Sequence, residues 1–257
     1  MGEQSKLRRR EVNSLRLGID LGMTLIDTAE MYGEGGAEEV VGQAIAGQRE
    51  RVFIVSKFYP HNASRAELPK ACQRSLKRLR VDAIDLYLLH WRGNVPLSET
   101  VDALELLRSG GKIRNWGVSN FDVSDMVELR STNQGNACVA NQVLYNLETR
   151  GIEFDLLPEE QQRKIAIMAY SPVGHGKGLL SRAVLGKIAK RYEATPAQIA
   201  LAWVLRQREV IAIPKATNEQ HVRENARAID LQLTGDDLAD LDRTFPPPRS
   251  KEPLGML

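Results

Sequence analysis

Asp27, Tyr32, Lys57 and His90 are the residues of this chain whose types and spacing can do chemistry. Three of them close short apolar runs. Asp27 ends Thr24-Leu-Ile-Asp27, Lys57 ends Val52-Phe-Ile-Val-Ser-Lys57, and His90 ends Ile84-Asp-Leu-Tyr-Leu-Leu-His90. Tyr32 follows Asp27 by five residues, in a Gly-rich connection. Each alone is more often structural: an ion pair, a satisfied polar residue, a packed ring. As an ordered set at strand ends they point to function, because polar groups at successive strand ends build the active sites of α/β barrels. An acid, a cation, a phenol and an imidazole gathered there can move a proton to or from a carbonyl oxygen.

The elements that position this set are legible along the chain. Short apolar runs suited to burial on both faces, as in a parallel sheet, lie at Thr24–Asp27, Val52–Lys57, Ile84–His90, Ile113–Val118, Val139–Val143, Ile165–Tyr170 and Val210–Pro214. They recur about every 30 residues, the size of one βα unit. Helix patterns fill the gaps. Leu68, Cys72, Leu76 and Leu79 recur at helical spacing, with Ser64 and Glu67 as a capping box before them. Thr195-Pro196-Ala-Gln198 reads as a helix start, and Thr234-Gly-Asp-Asp237 as another. Pro246–Pro248 opens a short extended tail. No linker divides the chain, so one domain over residues 1–257 is expected. Seven strands are visible where a closed (β/α)8 barrel needs eight. The chain opens on a helix with Val12, Leu15 and Ile19 on one face, and a strand is expected upstream of it.

Composition narrows the function classes. The chain has 257 residues, 42% hydrophobic and 26% charged, with net charge +2. These are values of an ordinary globular protein, and the charge is too small to argue for nucleic acid or a membrane surface. No apolar run approaches the roughly 18 residues of a membrane helix. The N-terminal Arg8-Arg-Arg10 cluster is followed by no apolar segment, so it reads as the solvated start of a helix rather than a secretory signal. Cys72 and Cys138 lack zinc or redox spacing and read as reduced, partly buried thiols, which suits the cytoplasm. His61, His175 and His221 lack metal-ligand spacing with nearby carboxylates, so no metal site is expected.

Several motifs together resemble the aldo-keto reductase superfamily over nearly the whole chain, from about Gly18 to Leu257. Gly18-Ile-Asp-Leu-Gly-Met-Thr-Leu-Ile-Asp-Thr-Ala-Glu-Met-Tyr32-Gly is similar to the family's first motif. Ser56-Lys57, Leu88-Leu-His90-Trp91, Gly117-Val-Ser-Asn-Phe121, Asn141-Gln142, Ala169-Tyr-Ser-Pro172 and Ile213-Pro-Lys215 follow in the family's order. The resemblance is nearest to bacterial reductases of small aldehydes and methylglyoxal-like dicarbonyls. It implies a (β/α)8 TIM barrel. Family members begin with a β-hairpin and a first strand carrying a Gly-Thr-Trp-like segment. Here Met1-Gly-Glu matches the residues just after it, so that strand is expected upstream or absent from a shortened product.

The resemblance assigns Tyr32 as the general acid. A free phenol holds its proton to about pH 10, and a neighbouring ammonium eases its release by stabilising the phenolate. Lys57 supplies the ammonium, Asp27 holds and orients it, and His90 donates to the substrate carbonyl or relays protons. The hydride must then come from a nicotinamide, since no side chain supplies one.

No Gly-x-Gly-x-x-Gly follows a strand, so a Rossmann site is not indicated. By resemblance the dinucleotide lies extended across the barrel mouth. Ser119, Asn120 and Gln142 match positions that bind the carboxamide, and Tyr170 matches the ring that stacks on the nicotinamide. Ser171, Pro172 and Val173 open a glycine-rich loop, to Gly178, over the pyrophosphate. Lys215, with Ala216, Thr217 and His221, faces the 2′-phosphate of NADP, and Glu224 and Asn225 face the adenine. Strongly NADP-preferring members place a hydroxyl residue and an arginine where Ala216 and His221 stand, so NADPH is expected with weakened preference and NAD as the second candidate. Trp91 is the candidate pocket-lining residue. The short tail from Phe245 to Leu257 favours small substrates.

The expectation is therefore a cytoplasmic, monomeric NAD(P)H-dependent reductase of small aldehydes or ketones. It binds a small carbonyl substrate and no nucleic acid or membrane. One alternative is a catalytically impaired nucleotide-binding sensor or regulatory subunit of the same fold. Another is a barrel aldolase with Lys57 or Lys215 as Schiff base, which leaves Tyr32, Asn120 and Gln142 unexplained.

Overall fold

The computed structural model describes residues 1–176 and 178–257. Contacts divide the chain into two compact units, Met1–Ala140 and Asn141–Leu257.

The first unit alternates helix and strand. Its elements are α1 (Arg8–Asp20), β1 (Leu25–Asp27), α2 (Gly36–Ala44), β2 (Phe53–Phe58), α3 (Leu68–Leu79), β3 (Ile84–Leu89), α4 (Leu97–Ser109), β4 (Ile113–Ser119) and α5 (Val123–Ser131). Strands β1 to β4 pair in parallel and in chain order. Their register places Asp27 beside Val55, Lys57 beside Leu88, and Leu88 beside Gly117. The ladder continues past the strand ends. Thr28 N donates to Val55 O at 2.9 Å, Glu30 N to Lys57 O at 3.1 Å, and His90 N to Phe58 O at 3.1 Å. The C-terminal ends of β1, β2 and β3 are thereby fixed side by side.

Burial explains the sequence pattern. All six residues of β3 are buried, as are the last five of β2. A strand covered on both faces selects a continuous apolar run rather than an alternating one. On α1, Val12 and Ile19 are buried with Leu15 packed beside them, while Arg9 and Arg10 stay exposed.

The second unit contains most of β5 (Ala140–Leu144), then α6 (Leu156–Arg163), β6 (Ala166–Tyr170), α7 (Ala183–Arg191), α8 (Pro196–Leu205), β7 (Val210–Ile213), α9 (Glu219–Arg227) and α10 (Gly235–Thr244). Strands β6 and β7 pair in parallel, Ile167 to Val210 through Tyr170 to Ile213. Both expected helix starts form full capping boxes, Thr195 with Gln198 on α8 and Thr234 with Asp237 on α10. Such caps satisfy amide groups that the first helical turn leaves without partners.

The structure corrects two local readings. Glu67 N donates to Ser64 Oγ at 3.2 Å, but the Glu67 carboxylate accepts from Lys70 at 2.8 Å and α3 starts only at Leu68, so the box before α3 is half formed. Both cysteines are buried outright rather than partly, and desolvation pushes the Cys72 thiol up to about 12. The part of the glycine-rich loop at Lys177 lies outside the described residues.

Candidate active site

Lys57 organises the site. Its side chain is fully buried, on the penultimate residue of β2. An ammonium has three donors and no acceptor. Here Nζ meets three oxygens: Asp27 Oδ2 at 2.7 Å, Thr28 O at 2.9 Å and Tyr32 Oη at 3.3 Å. Every donor has its acceptor, which is the condition for keeping such a charge out of water. Nζ also lies 4.8 Å from the centroid of the Tyr32 ring, so the quadrupole of that ring adds to the attraction.

The turn that carries Tyr32 is built on glycine. Gly33 and Gly35 adopt φ of +58° and +90°. At Gly35 a Cβ would fall 2.5 Å from Arg78 Cδ, so the left-handed backbone and the packed guanidinium both require glycine there. Behind this turn, the fully buried Glu38 accepts from Ser56 Oγ at 2.6 Å and from Arg78 Nε at 2.6 Å. One carboxylate thus ties α2 and α3 to the residue preceding Lys57.

His90 follows the last residue of β3. Its ring stands edge-on to Tyr32, with centroids 5.7 Å apart and planes at 83°. Burial, reinforced by the nearby Lys57 charge, lowers its pKa to about 3. The imidazole is therefore neutral at pH 7, able to donate through one nitrogen and accept through the other. Its Nδ1 is buried and has no hydrogen-bond partner among the described residues. Asn120, at φ +58°, donates through Nδ2 to His90 O at 3.1 Å and to Ser119 Oγ at 3.1 Å. Asn is among the few residues that tolerate that backbone.

Chemically, the cluster can deliver a proton at one point. Lys57 donates to the phenolic oxygen, so the Tyr32 hydroxyl hydrogen is turned toward other acceptors. A carbonyl oxygen near Tyr32 Oη and the His90 ring would meet two neutral donors in a partly water-excluded place, the arrangement that stabilises developing negative charge on oxygen.

Asp27, Tyr32, Lys57, His90, Trp91, Ser119 and Asn120 all fall in the first unit. Trp91 packs 5.0 Å from the His90 ring. Sequence reasoning missed three partners of this cluster. They are the Thr28 carbonyl on Lys57, the Glu30 carboxylate on the Tyr59 amide at 2.8 Å, and the Tyr59 ring 5.9 Å from Trp91. An acid inside Asp27-Thr-Ala-Glu30-Met-Tyr32, and an aromatic two residues past Lys57, were the available signals.

The remaining candidates belong to the second unit. Gln142 is buried on β5, and Tyr170, half-buried, ends β6. Ser171 has φ +48°, Pro172 is buried and Val173 half-buried. Gly174 has φ +80°, and a Cβ on it would meet Leu179 Cβ at 2.8 Å, so this turn too is reserved for glycine. Lys215 and His221 are exposed, while Ala216, Thr217, Glu224 and Asn225 are half-buried. Asn218 caps α9 by accepting from Gln220 N at 2.8 Å, and Glu224 accepts from Gln220 Nε2 at 2.8 Å.

A family model described as aldo/keto reductase family matches residues 3–245. The chain is 51% identical over 261 residues to the methylglyoxal reductase YeaE of Escherichia coli, covering 100% of this chain and 92% of that protein. It is 36% identical over 232 residues to a glyoxal reductase of Bacillus subtilis, covering 89% of this chain and 81% of that protein. A crystal structure of an aldo/keto reductase from Klebsiella pneumoniae in complex with NADP and acetate superposes with a TM-score of 0.99 at 52% identity, covering 100% of this chain and 92% of that one. This likeness bears out the fold class expected from the sequence, the α/β barrel type of these enzymes. The strand-end cluster, the full-length likeness and the family match agree, and the chain belongs to the aldo/keto reductase family.

Proposed function

We propose that this protein reduces small aldehydes, 2-oxoaldehydes foremost, to alcohols with NADPH as hydride source. The observation that carries the reading is Lys57, whose ammonium is shared among Asp27, Thr28 O and Tyr32 Oη. That arrangement has a purpose in proton transfer to a carbonyl oxygen, and it costs a buried charge to maintain.

The residues present suit the cofactor. Ser119, Asn120 and Gln142 are polar donors and acceptors of the kind a carboxamide needs, and two of them are buried. Tyr170 offers a ring for stacking. Ser171, Pro172 and Val173 lead into a glycine turn that lets backbone approach a pyrophosphate closely. Lys215, Ala216, Thr217 and His221 precede or open the first turn of α9, where backbone amides favour a phosphate. Glu224 and Asn225 would hold the adenine. When bound, the reduced nicotinamide supplies a hydride to the carbonyl carbon.

In this reading Tyr32 gives its hydroxyl proton to the carbonyl oxygen. Lys57 stabilises the phenolate left behind, and Asp27 keeps the ammonium in place. His90, neutral, orients the carbonyl through a ring N–H and does not act as a proton reservoir. Trp91 forms part of the pocket wall. Water returns the proton to Tyr32 after the alcohol leaves. The protein acts as a cytoplasmic monomer, a state that a sizing column would test.

The test is loss of near-ultraviolet absorbance of NADPH with methylglyoxal and with a simple aromatic aldehyde. Turnover of either is expected. NADPH bound but never oxidised, across a panel of small carbonyls, would overturn the reductase reading in favour of a nucleotide sensor.

A further inference from the structure

Glu30 lies between Asp27 and Tyr32 in sequence, and its carboxylate is only 7% exposed. It points away from Lys57. Its Oε1 accepts two hydrogen bonds, from Tyr59 N at 2.8 Å and from Asn62 Nδ2 at 2.8 Å. Its Oε2 faces Arg74 at 3.6 Å. Meanwhile its own backbone N–H donates to Lys57 O at 3.1 Å. One residue thus clamps the loop after β2 to the loop that carries Tyr32.

The clamped loop has an aromatic face. Tyr59 stacks on His61, with centroids 4.8 Å apart and planes at 23°. It meets Trp91 edge-on at 5.9 Å, and Trp91 lies 5.0 Å from His90. An unbroken series of contacts therefore runs from the Glu30 carboxylate to the imidazole beside the reacting carbonyl. The Asp27–Lys57–Tyr32 hydrogen bonds involve none of these side chains.

We infer that Glu30 is a positioning residue for substrate selectivity: by fixing the Tyr59–Asn62 loop against Trp91 it sets the wall that a flat, bulky aldehyde must contact. This rests on the reductase reading. A three-carbon oxoaldehyde has little surface to lay against that wall, whereas the ring of an aromatic aldehyde would lie against the Trp91 and Tyr59 rings beside His90.

Glu30→Ala removes both loop bonds. It is expected to lower kcat/KM for an aromatic aldehyde about tenfold, mainly through KM, and for methylglyoxal less than about threefold, the scale at which pocket contacts discriminate substrates. Glu30→Gln keeps an oxygen that can accept both bonds, and it should restore the wild-type ratio of the two specificity constants. Asn62→Ala removes one bond and should move the ratio about threefold in the same direction. If Glu30→Ala does not fold, Asn62→Ala decides. An unchanged ratio in the folded variants, or equal losses for both aldehydes, would overturn the proposal. A wild-type protein inactive with both aldehydes would instead overturn the reductase reading beneath it.

Discussion

The strand ends of the first unit and the 170–225 segment of the second hold their candidate residues in opposite ways. Around Lys57 every donor is matched, its own side chain is fully buried, and the backbone beneath is locked by a parallel ladder. In the 170–225 segment the candidate residues other than the buried Pro172 are exposed or half-buried, and Ser171 has a left-handed backbone. The difference follows the work expected of each. A group that must meet charge as it forms has to be in place beforehand, because reorganising it would cost part of the barrier reduction. A group that only holds a ligand can be ordered by the ligand itself.

The comparison can be broken most forcefully at Tyr32. Tyr32→Phe keeps the ring over Lys57 and edge-on to His90 but removes the proton donor. It should lower kcat roughly 10³-fold, within the range for general acid catalysis, and leave NADPH affinity by fluorescence titration unchanged. Retained turnover would remove Tyr32 from the mechanism.

Lys57→Met should lower kcat by roughly 10²-fold and also destabilise the fold by about 3 kcal/mol, since the largely buried Asp27, 12% exposed, loses its cation. Asp27→Leu combined with Lys57→Met should recover the stability in urea titration but none of the activity. Recovery of neither would show that the pair does not oppose a desolvation cost.

His90 gives a sharper, pH-dependent contrast. Its folded pKa, about 3, lies below the ordinary histidine value of 6.5. The unfolded chain therefore takes up a proton below pH 6.5 that the folded chain refuses. Its contribution to stability is present above that value and is lost as pH falls toward 3, by a few kcal/mol at about 1.4 kcal/mol per pKa unit. Urea midpoints measured from pH 7.5 to 4.5 should fall more steeply for wild type than for His90→Asn. Equal slopes would show that His90 charges readily.

The mildest change belongs to the second unit. His221→Arg should raise the NADPH-over-NADH ratio of specificity constants about fivefold, because a guanidinium is charged at all ordinary pH and binds phosphate bidentately. An unaltered ratio would place His221 away from the 2′-phosphate.

These residues also mark what a sequence reveals. All seven strands were legible, because strands buried on both faces leave continuous apolar runs such as Ile84 to Leu89. The acid, cation, phenol and imidazole were legible because each stands at or just past such a run. The caps of α8 and α10 were legible because a capping box is a local four-residue code. The Glu30 clamp was not. Its partners lie 29 and 32 residues away, and only the parallel register of β1 and β2 brings them together. The half-formed box before α3 misled for a related reason: Ser64 and Glu67 fit the local code, but Pro69 at the second helical position moves the start to Leu68.

The buried thiols have a consequence in terms of survival under the substrate. A 2-oxoaldehyde is a soft electrophile that adds to thiolates. Cys72 is fully buried, with its thiol pushed up to about 12, and Cys138 is 4% exposed, with its sulfur 3.5 Å from the Ala140 carbonyl. Cys72 offers no thiolate at neutral pH and Cys138 is shielded by burial, and reactivity follows thiolate character and access. An enzyme so built can turn over a thiol-modifying metabolite for many cycles without losing a cysteine to it.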